Sequence, residues 1–168
     1  MNKAIVIGCP GSGKSHFARA LHQKTGLPLC HLDLLYWNAD RTTVEKPIFR
    51  ARLSSVMDTD RWIIDGNYAS TMELRLGACD TVFFLDYPTS VCLDGVRARR
   101  GRPREDLPWV ETGEDEEFIG FIQRFQAEQR PRILSLLQAY PEKTVYVFRN
   151  RTEADLYINS LACKSVDP

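Results

Sequence analysis

The chain has 168 residues, of which 43% are hydrophobic, and its 22 basic side chains balance 22 acidic ones to give a formal net charge of zero. This length is enough for one domain with a sizeable core, and we expect a single domain over residues 1–168. The balanced charge creates no overall basic field, so direct binding to nucleic acid or to a membrane surface is not expected.

The first predicted element is a short apolar strand over residues 4–7, which leads directly into a glycine-rich segment. That segment, Gly8-Cys9-Pro10-Gly11-Ser12-Gly13-Lys14-Ser15, matches the pattern G-x-x-x-x-G-K-[ST]. Apolar residues at helical spacing (Phe17, Ala18 and Leu21) follow at once. The motif therefore lies between a strand and a helix, which is the context that a phosphate-binding loop requires.

Each fixed residue of this motif has a role in binding a triphosphate. Glycines let the loop curl until its backbone N–H groups point at one phosphate, and the helix that begins near Lys14 adds its partial positive charge. We expect Lys14 to neutralise β- and γ-phosphate oxygens during catalysis and Ser15 to coordinate a metal ion. We predict that the loop, together with His16, binds ATP and Mg²⁺.

Gly26 and Pro28 mark the end of this helix. Beyond it, apolar runs and helical segments alternate along the chain. The predicted strands cover residues 29–32, 61–64, 81–85 and 144–148. The predicted helices cover residues 47–57, 88–100, 114–140 (with a kink or break near Pro131) and 152–162. Because the strands are apolar throughout, we predict a three-layer α/β fold of the P-loop NTPase type with a five-stranded parallel sheet.

Three predicted strands end at an aspartate: Asp33, Asp65 and Asp86. Ligands of parallel sheets bind at the carboxyl ends of the strands, so these side chains should share an edge with the phosphate loop. Asp65 is predicted to complete the Mg²⁺ shell beside the substrate, unless Asp65-Gly66 is simply a turn. Asp33 is predicted to act on the acceptor as a base, as an anchor or through metal-bound water, unless it caps a helix.

An arginine-rich segment follows the fourth strand, with five arginines in the eight positions 97–104. We predict that residues 97–113 form a small lid, in which Arg100 and Arg104 close over the transferring phosphate. The alternatives are a solvated basic end of a helix and a nucleic-acid patch.

Aromatic residues follow two of the predicted strand ends, namely Trp37 and its neighbour Tyr36 after Asp33, and Tyr68 after Asp65. We expect Trp37 and Tyr68 to contact the acceptor, although aromatic residues next to strands also serve as core.

The five cysteines are widely spaced, are odd in number and include no C-x-x-C pair. This pattern is typical of reduced thiols rather than of disulfides or a zinc site. The first apolar run is too short for a signal peptide, and no run approaches the length of a transmembrane helix. We therefore expect a cytoplasmic protein.

The block Trp62-Ile63-Ile64-Asp65-Gly66-Asn67-Tyr68, together with the phosphate loop and the spaced arginines, resembles the adenylate-kinase-like branch of P-loop kinases. More closely, residues 4–161 resemble the topology modulation proteins. The resemblance implies that Asn67 contacts the substrate, as does Arg124, which falls where the branch places a phosphate-contacting arginine. Adenylate kinases carry Asp-Gly-Phe-Pro-Arg where this chain has Asp-Gly-Asn-Tyr-Ala, so the arginine that would grip AMP is missing.

The residues and the resemblance together predict an ATP-dependent kinase that transfers a phosphoryl group to a small molecule. The acceptor is left open and includes nucleosides and nucleotides. The alternative is an ATP-binding regulator that affects DNA topology with little or no kinase activity, as the family name suggests. A GTPase is disfavoured because the chain contains neither a D-x-x-G nor an N-K-x-D sequence.

Overall fold

The structure, a computed structural model, describes residues 1–113 and 115–162. Its strands are Lys3–Gly8 (β1), Leu29–His31 (β2), Trp62–Asp65 (β3), Thr81–Leu85 (β4) and Thr144–Phe148 (β5). They form one parallel sheet in the order β2-β3-β1-β4-β5. The strand that leads into the phosphate loop is therefore central, with β3 on one side and β4 on the other.

Helices flank this sheet, and the three central strands are buried along nearly their whole length. Within the described residues the helices are Lys14–Thr25 (α1), Leu32–Tyr36 (α2), Lys46–Met57 (α3), Ala69–Ala78 (α4), Thr89–Arg99 (α5), Glu116–Gln138 (α6) and Arg151–Ser160 (α7). None of these helices has both the length and the apolar character needed to cross a membrane. The predicted three-layer fold with a five-stranded parallel sheet is confirmed.

The structure corrects the sequence prediction at three places. Strand β2 ends at His31, so Asp33 lies in the first turn of α2 rather than at a strand end, because the chain turns where Leu32 enters the core. Helix α4 was not predicted. Helix α6 runs past Pro131 without the predicted break, because buried Phe125 and Ile133 anchor it on either side. Glu114, the predicted start of that helix, lies outside the described residues.

Helix α1 is fixed to the sheet by aromatic packing. The Phe17 ring lies 5.1 Å from the Phe83 ring and 5.5 Å from the Phe148 ring, measured between centroids. Burying each of these side chains stabilises the fold by about 1.5–3 kcal/mol. The packing therefore holds the first residue of α1, Lys14, at the carboxyl edge of the sheet.

Asp86, which follows β4, joins two other elements to the sheet. The Arg130 Nε atom of α6 donates to both Asp86 carboxylate oxygens at 2.8 and 2.9 Å, and Arg149 after β5 also pairs with it. The Asp86 side chain is 1% exposed, so these partners replace water around its charge. Asp86 thus has a structural role in this arrangement.

Replacing Asp86 with alanine should therefore lower the free energy of unfolding by about 2–3 kcal/mol, because two arginines lose their buried partner. Urea denaturation measures this loss. The matched control is Asp94→Ala, which breaks the exposed pair between Asp94 and Arg97 and should cost about 0.5 kcal/mol or less. Equal losses in the two variants would contradict the role assigned to Asp86.

Candidate active site

The carboxyl ends of the strands open into a cleft of about 1510 Å³. Most of the predicted site residues line it. They are residues 10–16 of the phosphate loop, Asp33, Trp37, Asp65, Asn67, Tyr68, Arg100 and Arg104. Gly8 and Cys9, the first two residues of the loop, are buried and are not among the lining residues, so only their backbone can support the site.

The phosphate loop is packed tightly against α5. Gly11 has a φ of 85°, and a Cβ atom there would lie 2.0 Å from the Cys92 carbonyl oxygen, so only glycine fits. Gly13, with a φ of 94°, precedes α1 and has no side chain to accept the first N–H groups of that helix. Those N–H groups and the positive end of the helix dipole remain available for an anion.

Lys14 lies over this loop. Its Nζ atom donates to the Cys9 carbonyl at 3.4 Å, which is a long hydrogen bond that a stronger acceptor can replace. Lys14 and the loop N–H groups are donors of the kind that could bind a polyphosphate.

Asp65 is placed by the register of two neighbouring strands. His31 of β2 is paired with Asp65 of β3, and the His31 Nδ1 atom lies 2.8 Å from Asp65 Oδ2. A carboxylate only accepts hydrogen bonds, so Nδ1 carries the hydrogen in this contact. The other oxygen, Oδ1, is buried without a hydrogen-bond partner among the described residues, and Asp65 lines the cleft.

An unpartnered buried carboxylate oxygen in the same cleft as the Ser15 hydroxyl fits a magnesium ion. Mg²⁺ is usually held by one or two protein ligands together with phosphate and water oxygens. The described residues contain no group of three or more His, Cys, Asp or Glu residues that could hold a metal by themselves. Ser15 and Asp65 would hold Mg²⁺ only together with a bound phosphate.

Asp33 and Tyr68 form a pair in the same cleft, where the Tyr68 hydroxyl donates to Asp33 Oδ1 at 2.7 Å. Burial raises the pKa of the Asp33 carboxyl above its ordinary value, and the charge of Asp65 acts in the same direction. The Tyr68 hydrogen bond and the positive charges of Lys14 and Arg104 lower this pKa without cancelling the effect of burial. Asp33 therefore takes up a proton at a higher pH than an exposed aspartate does.

Asn67 connects this part of the cleft to the phosphate loop. Its Oδ1 atom accepts from the Gly8 backbone N–H at 3.0 Å, and its Nδ2 atom donates to the Gly8 carbonyl at 2.6 Å. The side chain predicted to contact the substrate is thus used to hold the start of the phosphate loop. The next residue, Tyr68, has a φ of 32°, which is uncommon for a residue with a side chain.

The predicted lid forms another wall, and two of its arginines are paired with acidic residues. Arg104 pairs with Asp106 through its Nε and Nη2 atoms, and its Nη1 atom donates to Glu111 at 2.9 Å. Arg99 also pairs with Glu111, at 3.0 Å. The Arg104 side chain is only 14% exposed, so the description as a solvated helix end does not apply to it.

Sequence reasoning missed Asp106, a buried carboxylate of the lid. The Arg19 Nη1 atom lies 3.8 Å from Asp106 Oδ1. Burial alone would raise the pKa of Asp106, but the hydrogen bonds from Arg104 and the nearby Ser15 hydroxyl hold it well below its usual range. The only sequence signal was an acid within an arginine-rich segment.

A chain of aromatic rings joins the lid to the wall that carries Asp33. The Trp37 ring meets the Trp109 ring of the lid edge-on at 5.2 Å, and it meets the Tyr36 ring in the same way. Tyr36 also packs on Tyr68 and Phe49, so these aromatic residues serve both the core and the cleft. Trp109 was not predicted as a site residue.

Arg124 is the one predicted substrate residue that the structure does not bring to the cleft wall. It lies on an exposed face of α6, where it pairs with Glu128 one turn further along the helix at 3.4 Å. Its side chain is 58% exposed.

The strand order and the phosphate loop at the end of the central strand define a fold of the P-loop NTPase class. No family model matches the chain, and no curated protein sequence matches it significantly. Among solved structures, the chain is similar to the 1.7 Å crystal structure of shikimate kinase from Bacteroides thetaiotaomicron, at 18% identity. The TM-score is 0.62, and the match covers 94% of each chain.

This likeness shows the fold alone. It does not support the closer resemblance to the topology modulation proteins, which stays a prediction.

Proposed function

We propose that this chain is an ATP-dependent kinase that transfers a phosphoryl group to a hydroxyl of a small molecule. One observation carries the proposal: the phosphate loop with Lys14 shares a cleft with the half-buried pair of Asp33 and Tyr68, beneath a lid that contains Arg104. Groups that could bind a polyphosphate therefore share one cleft with a group that could accept a proton. This is the arrangement that phosphoryl transfer requires.

The residues of the phosphate-loop side would bind and orient the donor. The loop N–H groups and Lys14 would hold the phosphates, and Ser15 and Asp65 would hold Mg²⁺ at the same end of the cleft. When bound, Mg²⁺ neutralises charge on the phosphate oxygens. His31 keeps the Asp65 carboxylate oriented through the other oxygen.

Asp33 would accept the proton of the attacking hydroxyl, and Tyr68 would orient it. The raised pKa of Asp33 makes it a better proton acceptor than an exposed aspartate. Arg104 would stabilise the charge that spreads over the transferring group, with Arg100 also in the lid. To do so, Arg104 must exchange part of its pairing with Asp106 for phosphate oxygens.

Removal of the Arg104 guanidinium tests this lid role. We expect Arg104→Met to lower kcat by about 100-fold, because one fork of donors to the transferring group is lost. Arg104→Lys should recover only part of this loss, since lysine keeps the charge but not the planar fork. The control Arg97→Met removes an exposed arginine that pairs with Asp94 and should change kcat less than twofold. An unchanged kcat in Arg104→Met would contradict the lid role.

The acceptor is to be identified by assay, and the structural neighbour is named as a shikimate kinase. We would measure ADP release from Mg-ATP with nucleosides, nucleoside monophosphates, sugars and small hydroxy acids, shikimate included. The Lys14→Ala protein serves as the blank. Stimulation by one class supports the proposal and names the acceptor chemistry, whereas turnover at the blank level with every compound contradicts it.

The sequence also left a regulator of DNA topology as an alternative, in keeping with the resemblance to topology modulation proteins. That function requires DNA binding that weakens steeply as salt is raised, whereas the kinase requires none. Fluorescence anisotropy of a labelled duplex at several salt concentrations separates the two.

We further propose a cytoplasmic location, which agrees with the free thiols of Cys9, Cys30, Cys79 and Cys92.

A further inference from the structure

Arg75 of α4 is completely buried, and the proposed reaction does not use it. Its guanidinium donates to three successive carbonyls of the loop after β3, namely Gly66 at 2.7 Å, Asn67, and Tyr68 at 3.2 Å. Its Nε atom donates to the Thr71 carbonyl at 3.3 Å. No carboxylate of the described residues is bonded to it. The whole donor fork is therefore devoted to one loop and the helix turn that follows.

Burying an unpaired positive charge is costly, and burial lowers the pKa of Arg75 to about 10. At that pKa the guanidinium is still charged at neutral pH. If the side chain at position 75 served only to fill the core, an apolar residue such as leucine or methionine would be sufficient. The convergence of three carbonyl dipoles on the guanidinium instead compensates the charge by fixing the shape of the loop.

The loop that Arg75 holds carries two connections across the cleft. Asn67 bonds both backbone groups of Gly8 at the start of the phosphate loop, and Tyr68 bonds Asp33. Tyr68 also keeps a positive φ, which persists only when surrounding contacts hold it. Arg75 touches neither Gly8 nor Asp33, but it fixes the segment that touches both.

We propose that Arg75 is a positioning residue, which holds residues 66–68 in the shape that fixes Asp33 relative to the phosphate loop. This inference rests on the proposed kinase function. It assigns a role in the reaction to a residue that contacts no substrate. Losing Arg75 should therefore reduce the rate of transfer more than the binding of ATP, because the phosphate loop keeps its own contacts with α5.

The first test measures the loop itself by amide hydrogen exchange, which needs no acceptor. In Arg75→Met, exchange in residues 66–69 should accelerate at least tenfold, while exchange in Lys46–Met57 of α3 changes less than twofold. The control is Lys143→Met, since Lys143 donates to the Gly77 carbonyl at the other end of α4. It should leave exchange in residues 66–69 unchanged. Uniform acceleration across the chain, or none in residues 66–69, would overturn the proposal.

The second test asks whether Arg75 acts through Tyr68. Arg75→Lys keeps the charge but cannot reach all the carbonyls, so we expect kcat to fall about 30-fold with the KM for ATP within about threefold. Because Tyr68→Phe removes the bond to Asp33, the double variant should lose no more activity than the worse single variant. Additive losses, or a rise in KM alone, would contradict a positioning role.

The two tests separate the inference from the proposed function. If none of the acceptors stimulates ATP turnover by the wild-type protein, the proposed function fails. The exchange data still decide whether Arg75 holds the loop. If the wild type is an active kinase but Arg75→Lys retains full kcat, only the inference fails. Where Arg75→Met does not fold, the exchange comparison is made with Arg75→Lys, for which an unchanged rate in residues 66–69 overturns the inference.

Discussion

Replacing Lys14 with alanine should abolish phosphoryl transfer, with kcat lowered by about 1000-fold or more. Lys14 is the cation that lies over the phosphate loop, and no backbone N–H can replace its charge on the β- and γ-phosphate oxygens. The loop amides and the α1 dipole remain, so weak binding of Mg-ATP can persist while turnover is lost. Calorimetry with Mg-ATP and ADP release with the identified acceptor measure the two effects separately.

The matched control for Lys14 is Lys24→Ala, which removes the same charge from the last turn of the same helix. We expect it to change turnover less than twofold, with a stability loss of a few tenths of a kcal/mol from the helix dipole. Turnover by Lys14→Ala at the wild-type rate would mean that the glycine-rich loop is not the donor site.

Replacing Asp33 with asparagine should have the next largest effect. A general base contributes about 10²–10⁴-fold to the rate, and asparagine keeps the shape of aspartate but cannot take the proton. We expect kcat to fall by at least about 100-fold while Mg-ATP binds as before. Asp58→Asn, at the end of α3, is the control and should leave kcat unchanged. A fall in acceptor affinity with kcat intact would instead identify Asp33 as an anchor.

The pH profile gives an independent readout of Asp33. Because its pKa is raised, activity should be lost as pH falls through a value above that of an ordinary aspartate, since the base must be ionised. Tyr68→Phe removes a hydrogen bond that lowers this pKa, so the acid limb of the profile should move to higher pH. A shift to lower pH would contradict the pairing of Asp33 with Tyr68.

Local signals in the sequence predicted most of the fold. The apolar runs of β1, β3, β4 and β5 and the glycine that ends α1 are features of single segments, and they lie where they were predicted. Helix α4 was missed because the residue before it, Tyr68, does not cap the helix with its side chain. The backbone of Tyr68 is in the left-handed conformation, which the sequence did not indicate. The strand β2 has only three residues, too few for its end to be read from a pattern.

The residues of the candidate site could be predicted only where they directly follow a predicted strand in the sequence. The phosphate loop and Asp65 follow from their places at strand ends, and the structure brings them to one cleft. The His31 contact depends on strand register, and the Asp106 contact with Ser15 depends on how the lid folds back. Arg75 reaches the loop only because α4 places it there. Such contacts arise from tertiary packing, which no local spacing encodes.

Transfer of a phosphoryl group to a small organic acceptor is measured most directly by the fate of ATP labelled in its γ-phosphate, incubated with Mg²⁺, protein and each acceptor class. We expect the label to appear in an organic phosphate ester with one acceptor class, and not with the Lys14→Ala protein. Label that is found only in ATP or in inorganic phosphate, with every acceptor class, would contradict the assignment as a small-molecule kinase.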